Sequence, residues 1–237
     1  MTHLYLIRHG QAISAAENFI GNTGLSPLGK RQAERLRDRL AATGEIAADV
    51  LIASTMLRAK ETAEIVAPAL GRSIIFDDEV QEWRNGDVGN FTVEEFEARF
   101  SSVEFEQKPF FQVVPRAESW AQFVLRVSTA LNRITQEYTG KTIVIVCHGG
   151  IIDSSFIYFL GLSSLHFPRA FFDTRNTSIT HWFRDSFAGL PTSWILGKYN
   201  DSMHLRDLES SVRIPWKELT TRPPGSSDPS VVPTEAK

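Results

Sequence analysis

The chain predicts a doubly wound α/β fold, a mainly parallel sheet flanked by helices and carrying an inserted Phe-rich lid. Three observations predict it. Apolar runs of strand character alternate with amphipathic helix patterns along most of the sequence. The most hydrophobic run, Thr142-Ile143-Val144-Ile145-Val146, lacks polar alternation, as a central parallel strand covered on both faces does. Turns carrying His, Arg and Gly follow several of these runs, at the strand ends where open α/β sheets bind ligands.

The elements follow in order. Leu4-Tyr5-Leu6-Ile7 is the first strand, and Arg8-His9-Gly10 lies at its carboxyl end. Ser26-Pro27 starts a helix with Ser as cap and Pro at the first helical position, and Gly44 stops it. Val50-Leu51-Ile52-Ala53 is a buried strand, followed by a helix from about Met56 to Leu70 that buries Ala59, Ala63 and Val66. Ser73-Ile74-Ile75-Phe76 is the third strand. Thr92-Val93-Glu94-Glu95 and Ser119-Trp120-Ala121-Gln122 are both capping boxes, the second opening a long helix that ends at Gly140. After the Thr142 strand, His148-Gly149-Gly150 leads into an apolar helix. Residues 178–183 and 194–196 are late strands, expected at a sheet edge.

Two stretches depart from this alternation. Between Phe91 and Phe123 lie seven of the chain's 16 Phe, with Trp120. This insertion at about 90–123 is a lid candidate. Its aromatics are expected to form a small core of their own rather than line a substrate pocket. From residue 222 to 237 the composition is rich in Pro, Gly and Ser and predicts a flexible tail.

Composition bounds the function. A chain of 237 residues can bury a sizeable core, and its net charge of −3 argues against a nucleic-acid partner. The one cysteine, Cys147, excludes an internal disulfide framework or thiolate zinc site. No signal-peptide pattern and no membrane-length apolar run is present, so the expected location is cytoplasmic, with no membrane partner.

Four constellations carry the chemistry. Arg8-His9 joins a guanidinium fork to an imidazole that can attack phosphorus. Arg58 stands near the start of a helix after a strand, so it shares a sheet edge with His9; its bland alternative is a solvated residue paired with Glu61 or Glu64. Glu82 follows the third strand, and His148, with Gly149, opens a helix whose N-terminus favours an anion. All four should gather at one end of one sheet. Metal ligation by His3, His9 and His148 is disfavoured, because no carboxylate accompanies them at ligand spacing. Cys147 has Asp153, not Arg, six positions on, which excludes a cysteine phosphatase loop.

Leu6-Ile7-Arg8-His9-Gly10-Gln11, Leu25-Ser26-Pro27-Leu28-Gly29 with Gln32-Ala33, Ser54 through Arg58-Ala59 with Glu61-Thr62, Glu82 and His148-Gly149-Gly150 appear in one order. With them the chain resembles the histidine phosphatase superfamily, in its phosphoglycerate mutase-like branch, over about residues 4–183. The resemblance implies a single histidine phosphatase domain over 1–221. It implies His9 as the phosphorylated nucleophile, Glu82 as proton donor, and Arg8, Arg58, a cationic His148 and Gly149 as the phosphate pocket. The implied activity is phosphomonoester hydrolysis without metal or cofactor, with a phosphorylated substrate as the only expected partner. Phosphoglycerate mutase-type transfer and a catalytically dead phosphate-binding module are the alternatives. The chain departs from mutase-like relatives at Ala12 and Ala15, where they carry Ser and Asn. Ser14, Asn18 and Asn176 stand as open candidates for further substrate contacts, and Asp87 and Glu118 as substitute acids.

Overall fold

The computed structural model describes residues 1–17, 20–87, 92–185 and 193–208. Asn18, Phe91 and the expected tail at 222–237 lie outside the described residues. The described strands are β1 (Thr2–Arg8), β2 (Val50–Ser54), β3 (Ile74–Asp77), β4 (Thr142–Cys147), β5 (Ile179–Asp185) and β6 (Ser193–Asp201). The helices are α1 (Ile13–Ala16), α2 (Pro27–Thr43), α3 (Leu57–Leu70), α4 (Val93–Ser101), α5 (Trp120–Glu137) and α6 (Gly149–Phe159).

One sheet runs in the order β3-β2-β4-β1-β5-β6. The pairs β1–β4, β2–β4 and β2–β3 are parallel, while β5 and β6 join antiparallel. The late strands therefore differ from expectation in one respect. Only β6 forms the edge; β5 lies inside, against β1. α1 has no periodic signature in the sequence, as a helix of four residues cannot.

The winding follows from strand alternation. Ile143, Ile145 and Cys147 of β4, with Leu4 and Leu6 of β1, pack on one face with Phe123, Val127 and Leu131 of α5 and Ile151 and Ile152 of α6. Val144 and Val146, with Ile7, pack on the other with Leu36 and Leu40 of α2 and Ala59, Ala63 and Val66 of α3. All six residues of β4 but Thr142 are buried, which accounts for its unbroken apolar run. Both capping boxes form as predicted: Thr92 N–H donates to Glu95 Oε2 at 2.9 Å and Ser119 N–H to Gln122 Oε1 at 2.9 Å.

The Phe-rich insertion builds a third, small core. Phe100, Val113, Val114 and Ala117 cluster there, with Trp83, Phe96, Phe111 and Phe167 packed against them. Its expected end at 123 is corrected. Trp120 and Phe123 belong to α5 and to the main core, because the Ser119 cap starts that helix earlier. The cap also extends to a segment that sequence patterning passed over, since Phe167, beyond α6, packs at a tilt on Phe100 at 5.3 Å and edge-on to Trp120 at 5.3 Å.

One backbone contact positions the loop after β1. A Cβ on Gly29 would lie 2.1 Å from the Gln11 carbonyl oxygen, and one on Gly10 would lie 2.5 Å from the Gly29 carbonyl oxygen. The first turn of α2 thus packs directly on the 10–11 backbone, where no side chain fits. Ser26 reinforces the contact, its hydroxyl donating to Gln11 Oε1 at 2.7 Å and accepting from Gly29 N–H at 3.0 Å. Gly29→Ala is expected to destabilise the fold by about 1–3 kcal/mol, the usual cost of overpacking. A lowered urea midpoint with unchanged slope checks this; an unchanged midpoint refutes the close packing.

Candidate active site

The register of β1 on β4 pairs Arg8 with Cys147, so the next residues, His9 and His148, leave the sheet side by side. His9 N–H continues the ladder to the Cys147 carbonyl at 2.9 Å. Around them the backbone is pinned. Thr177 N–H donates to the Arg8 carbonyl at 2.9 Å, Asn176 Nδ2 to the His9 carbonyl at 2.9 Å, and Gly10 N–H to Thr62 Oγ1 at 3.0 Å. Thr62 in turn donates to the Arg58 carbonyl at 2.7 Å, which ties α3 to the same loop.

The His9 tautomer follows from its partners. Arg58 Nε–H, which can only donate, reaches His9 Nε2 at 3.1 Å. Nε2 is therefore the acceptor, and Nδ1–H donates to the Gly10 carbonyl at 2.6 Å. Burial, with Arg58 and Arg8 nearby, holds the His9 pKa well below the usual imidazole value. The ring is neutral, with its lone pair on the side of the arginine.

His148 is fully buried at the N-cap of α6, its Nε2 paired with Ser54 Oγ at 2.8 Å. Its ring centroid lies 5.0 Å from that of His9. Burial, with Arg58, His9 and Arg8, holds the His148 pKa well below the ordinary value. Charge in the site comes from the arginines. Arg58 is pushed down to about 10 by burial and remains protonated at neutral pH. Arg58 is 8% exposed and pairs with His9, not with Glu61, whose carboxylate instead takes the Leu25 N–H at 2.8 Å. Arg8 is equally buried and donates Nη1 to the Thr174 carbonyl.

Glu82 completes the constellation at the start of α6. Its Oε1 accepts Trp83 N–H at 3.0 Å and its Oε2 accepts Gly150 N–H at 3.1 Å. A Cβ on Gly150 would fall 2.3 Å from Glu82 Oε1 and 2.9 Å from Phe123 Cζ, so glycine is what lets the carboxyl dock there. Gly149 is buried as the first residue of α6.

Other candidates sort differently. Glu118 is held by Arg126 and Asp87 by exposed Arg116, so neither is a free acid. Ser14 is buried with its N–H on Thr23 Oγ1 at 2.9 Å, and Asn176 supports the His9 backbone. The sequence reading missed Asp153, which is 6% exposed in α6 with Oδ1 unpartnered. Burial, helped by the Glu82 charge, pushes its carboxyl up to about 8. Its one signal was an acid inside an otherwise apolar run. Cys147 is inert, its thiol pushed up by burial.

A neutral imidazole whose lone pair meets the Arg58 guanidinium, with a second buried arginine, a second imidazole and a carboxyl gathered at the same sheet end, is suited to bind an oxyanion and attack it. Comparison with known proteins identifies the family. The chain is 29% identical over 213 residues to a protein named probable phosphoglycerate mutase GpmB of Escherichia coli O1:K1, across 86% of this chain and 95% of that one. Among solved structures it is similar to YhfR of Bacillus stearothermophilus, with 28% identity and a TM-score of 0.69 over 86% of this chain and all of that one. A phosphoserine phosphatase of Entamoeba histolytica in complex with phosphoserine shares the fold, with 23% identity and a TM-score of 0.68 over 86% of this chain and all of the other. The model of the histidine phosphatase superfamily (branch 1) matches residues 4–190, and with the motifs it covers in place at one sheet end, the chain belongs to that superfamily.

Proposed function

We propose that the chain hydrolyses phosphomonoesters through a phosphohistidine at His9. The observation that carries this reading is the His9 tautomer: Nδ1–H is committed to the Gly10 carbonyl, which leaves Nε2 as the nucleophile. In the first step Nε2 attacks phosphorus, the ester P–O bond breaks, and Glu82 gives its proton to the departing oxygen. In the second, Glu82 takes a proton from water as its oxygen attacks phosphorus, the P–N bond breaks and inorganic phosphate leaves. Arg58 exchanges its bond to Nε2 for a phosphoryl oxygen. Arg8 and Arg58 then supply the charge stabilisation that phosphoryl transfer needs, so the reaction requires no metal. A bound dianion raises the pKa of His148 and allows it to act as a further donor.

Phosphatase action is favoured over mutase transfer by the loop after His9. Ala12 is only 2% exposed and bridges Leu25 in a short antiparallel contact. That position offers a substrate no polar group, and a mutase must hold its substrate in two orientations. The known relatives carry both kinds of name, so the assay below decides between them.

His9→Ala is expected to lower phosphomonoester turnover by at least about 10³-fold while the fold survives. Mass spectrometry after alkaline quench of the wild type should find acid-labile phosphate on His9; finding it on His148 refutes the assignment. Incubation with 3-phosphoglycerate and a bisphosphoglycerate primer should release phosphate faster than it isomerises the substrate. The reverse order of rates makes the chain a mutase.

The Asp153 carboxyl gives a pH dependence with a definite sign. Folded, it keeps a proton up to about pH 8, whereas unfolded it ionises near about pH 4. The folded state therefore binds more protons in that window, and stability falls as pH rises through it, by at most about 1.4 kcal/mol per pH unit. Asp153→Asn cannot ionise. Its stability relative to wild type should climb from pH 5 to 8 and level off above, as read from denaturation at each pH; a pH-independent difference shows that the carboxyl is not held neutral.

A further inference from the structure

The segment that carries Glu82 has almost no regular structure. A single 3-10 turn, Asp78–Val80, precedes it, and residues 81–86 are irregular. Irregular backbone must still find partners for its polar groups. Here one side chain of α5 reaches three carbonyls of the 79–82 stretch. Arg126 Nη1 donates to the Glu79 carbonyl at 2.7 Å and the Gln81 carbonyl at 3.1 Å, and Nη2 donates to the Glu82 carbonyl at 3.2 Å. Its remaining donors go to Glu118, Nε to Oε1 at 2.6 Å and Nη2 to Oε2 at 2.7 Å. A guanidinium has five N–H donors, and all five are engaged.

Glu118 holds the other side of the same segment. Its Oε2 accepts Arg84 N–H at 3.0 Å, its backbone N–H donates to the Arg84 carbonyl at 2.8 Å, and its carbonyl takes the Trp83 indole N–H at 2.7 Å. The Trp83 ring stacks on Phe123 at 5.9 Å and 11°, and the Arg126 guanidinium lies 5.3 Å from the same Phe123 ring. Every residue from Gln81 to Arg84 is thus tied to this pair. The two side chains are only 7% and 14% exposed.

We infer that the Arg126–Glu118 pair is the positioning device of the proton donor, fixing the backbone that aims Glu82 at the leaving group while touching no substrate itself. The inference rests on the reading of Glu82 as general acid. A buried ion pair is a poor source of stability, and a well-packed apolar pair often serves as well. What an apolar pair cannot do is satisfy three carbonyls of the 79–82 stretch in fixed directions. Lysine cannot either, because it has three donors on a flexible stem and no planar fork. The geometry of this arginine suits orientation, and the group it orients is the acid.

Two variants test this: Arg126→Lys, and Arg126→Met combined with Glu118→Leu, which leaves no lone buried charge if the first fails to fold. Turnover is measured on an alkyl phosphate, whose leaving group needs a proton, and on an activated aryl phosphate, whose leaving group does not. The expected loss is about 10- to 100-fold on the alkyl ester and under about 3-fold on the aryl ester, a part of what general acid catalysis typically contributes. Adding Glu82→Gln to either variant should bring little further loss on the alkyl ester, because both changes remove one function. Equal losses on the two esters, or a full additional loss from Glu82→Gln, overturn the positioning role. Glu82→Gln alone must be selective for the alkyl ester; if it is not, the acid assignment falls, and the inference with it. A selective Glu82→Gln beside an unselective Arg126→Lys removes only the inference.

Discussion

The parallel pairing of β1 with β4 is the constraint on which the rest of this structure depends. Neighbouring strands lie about 4.8 Å apart, so two side chains leaving adjacent strand ends in register must meet. The rings of His9 and His148 do so, at 5.0 Å. β4 also pairs with β2, Ala53 opposite Val146, which brings Ser54 within 2.8 Å of His148. β5 covers the other flank of β1, and the turn before it delivers Thr174, Asn176 and Thr177 to the backbone and side chain of Arg8 and His9. A slip of β1 by one residue would send His9 to the opposite face and dissolve every one of these contacts.

That geometry gathers groups that repel one another. Two arginines and two histidines share one buried place, and taking charge out of water is costly. The chain limits the cost by keeping both imidazoles neutral and leaving the charge on the arginines. Among the described residues, Arg8 Nε and His148 Nδ1 are buried without a hydrogen-bond partner. The charge that remains in this buried place is carried by the two guanidinium groups.

Much of this was legible in the letters, for identifiable reasons. The unbroken apolar run of β4 announced a central strand because it is covered on both faces. Ser26-Pro27 and the two capping boxes announced helix starts because capping is a local, short-range chemistry. Arg8, His9, Arg58, Glu82, His148 and Gly149 could be placed toward one sheet end because each lies at or after the end of a strand. What stayed hidden depends on side-chain rotamers and on contacts across long sequence separations. The Gly10 carbonyl as the His9 partner is a matter of ring rotamer, and Asp153 reads as an ordinary helix residue until α6 is packed. Phe167 joined the cap, and Phe123 left it, through tertiary packing that periodicity does not encode.

The two halves of the chemistry are anchored in different ways. In the proposed mechanism charge stabilisation falls to strand ends and helix starts, where backbone hydrogen bonds of the sheet hold Arg8, His9 and His148, and the first turn of α3 holds Arg58. The proposed proton donor, Glu82, lies in an irregular segment between the main core and the cap. Trp83, the next residue, packs against both, on Phe123 of α5 and, at 6.1 Å, on Phe100 of the cap. Glu82 thus differs from Arg8, His9, Arg58 and His148 in having a chain neighbour packed on the cap core.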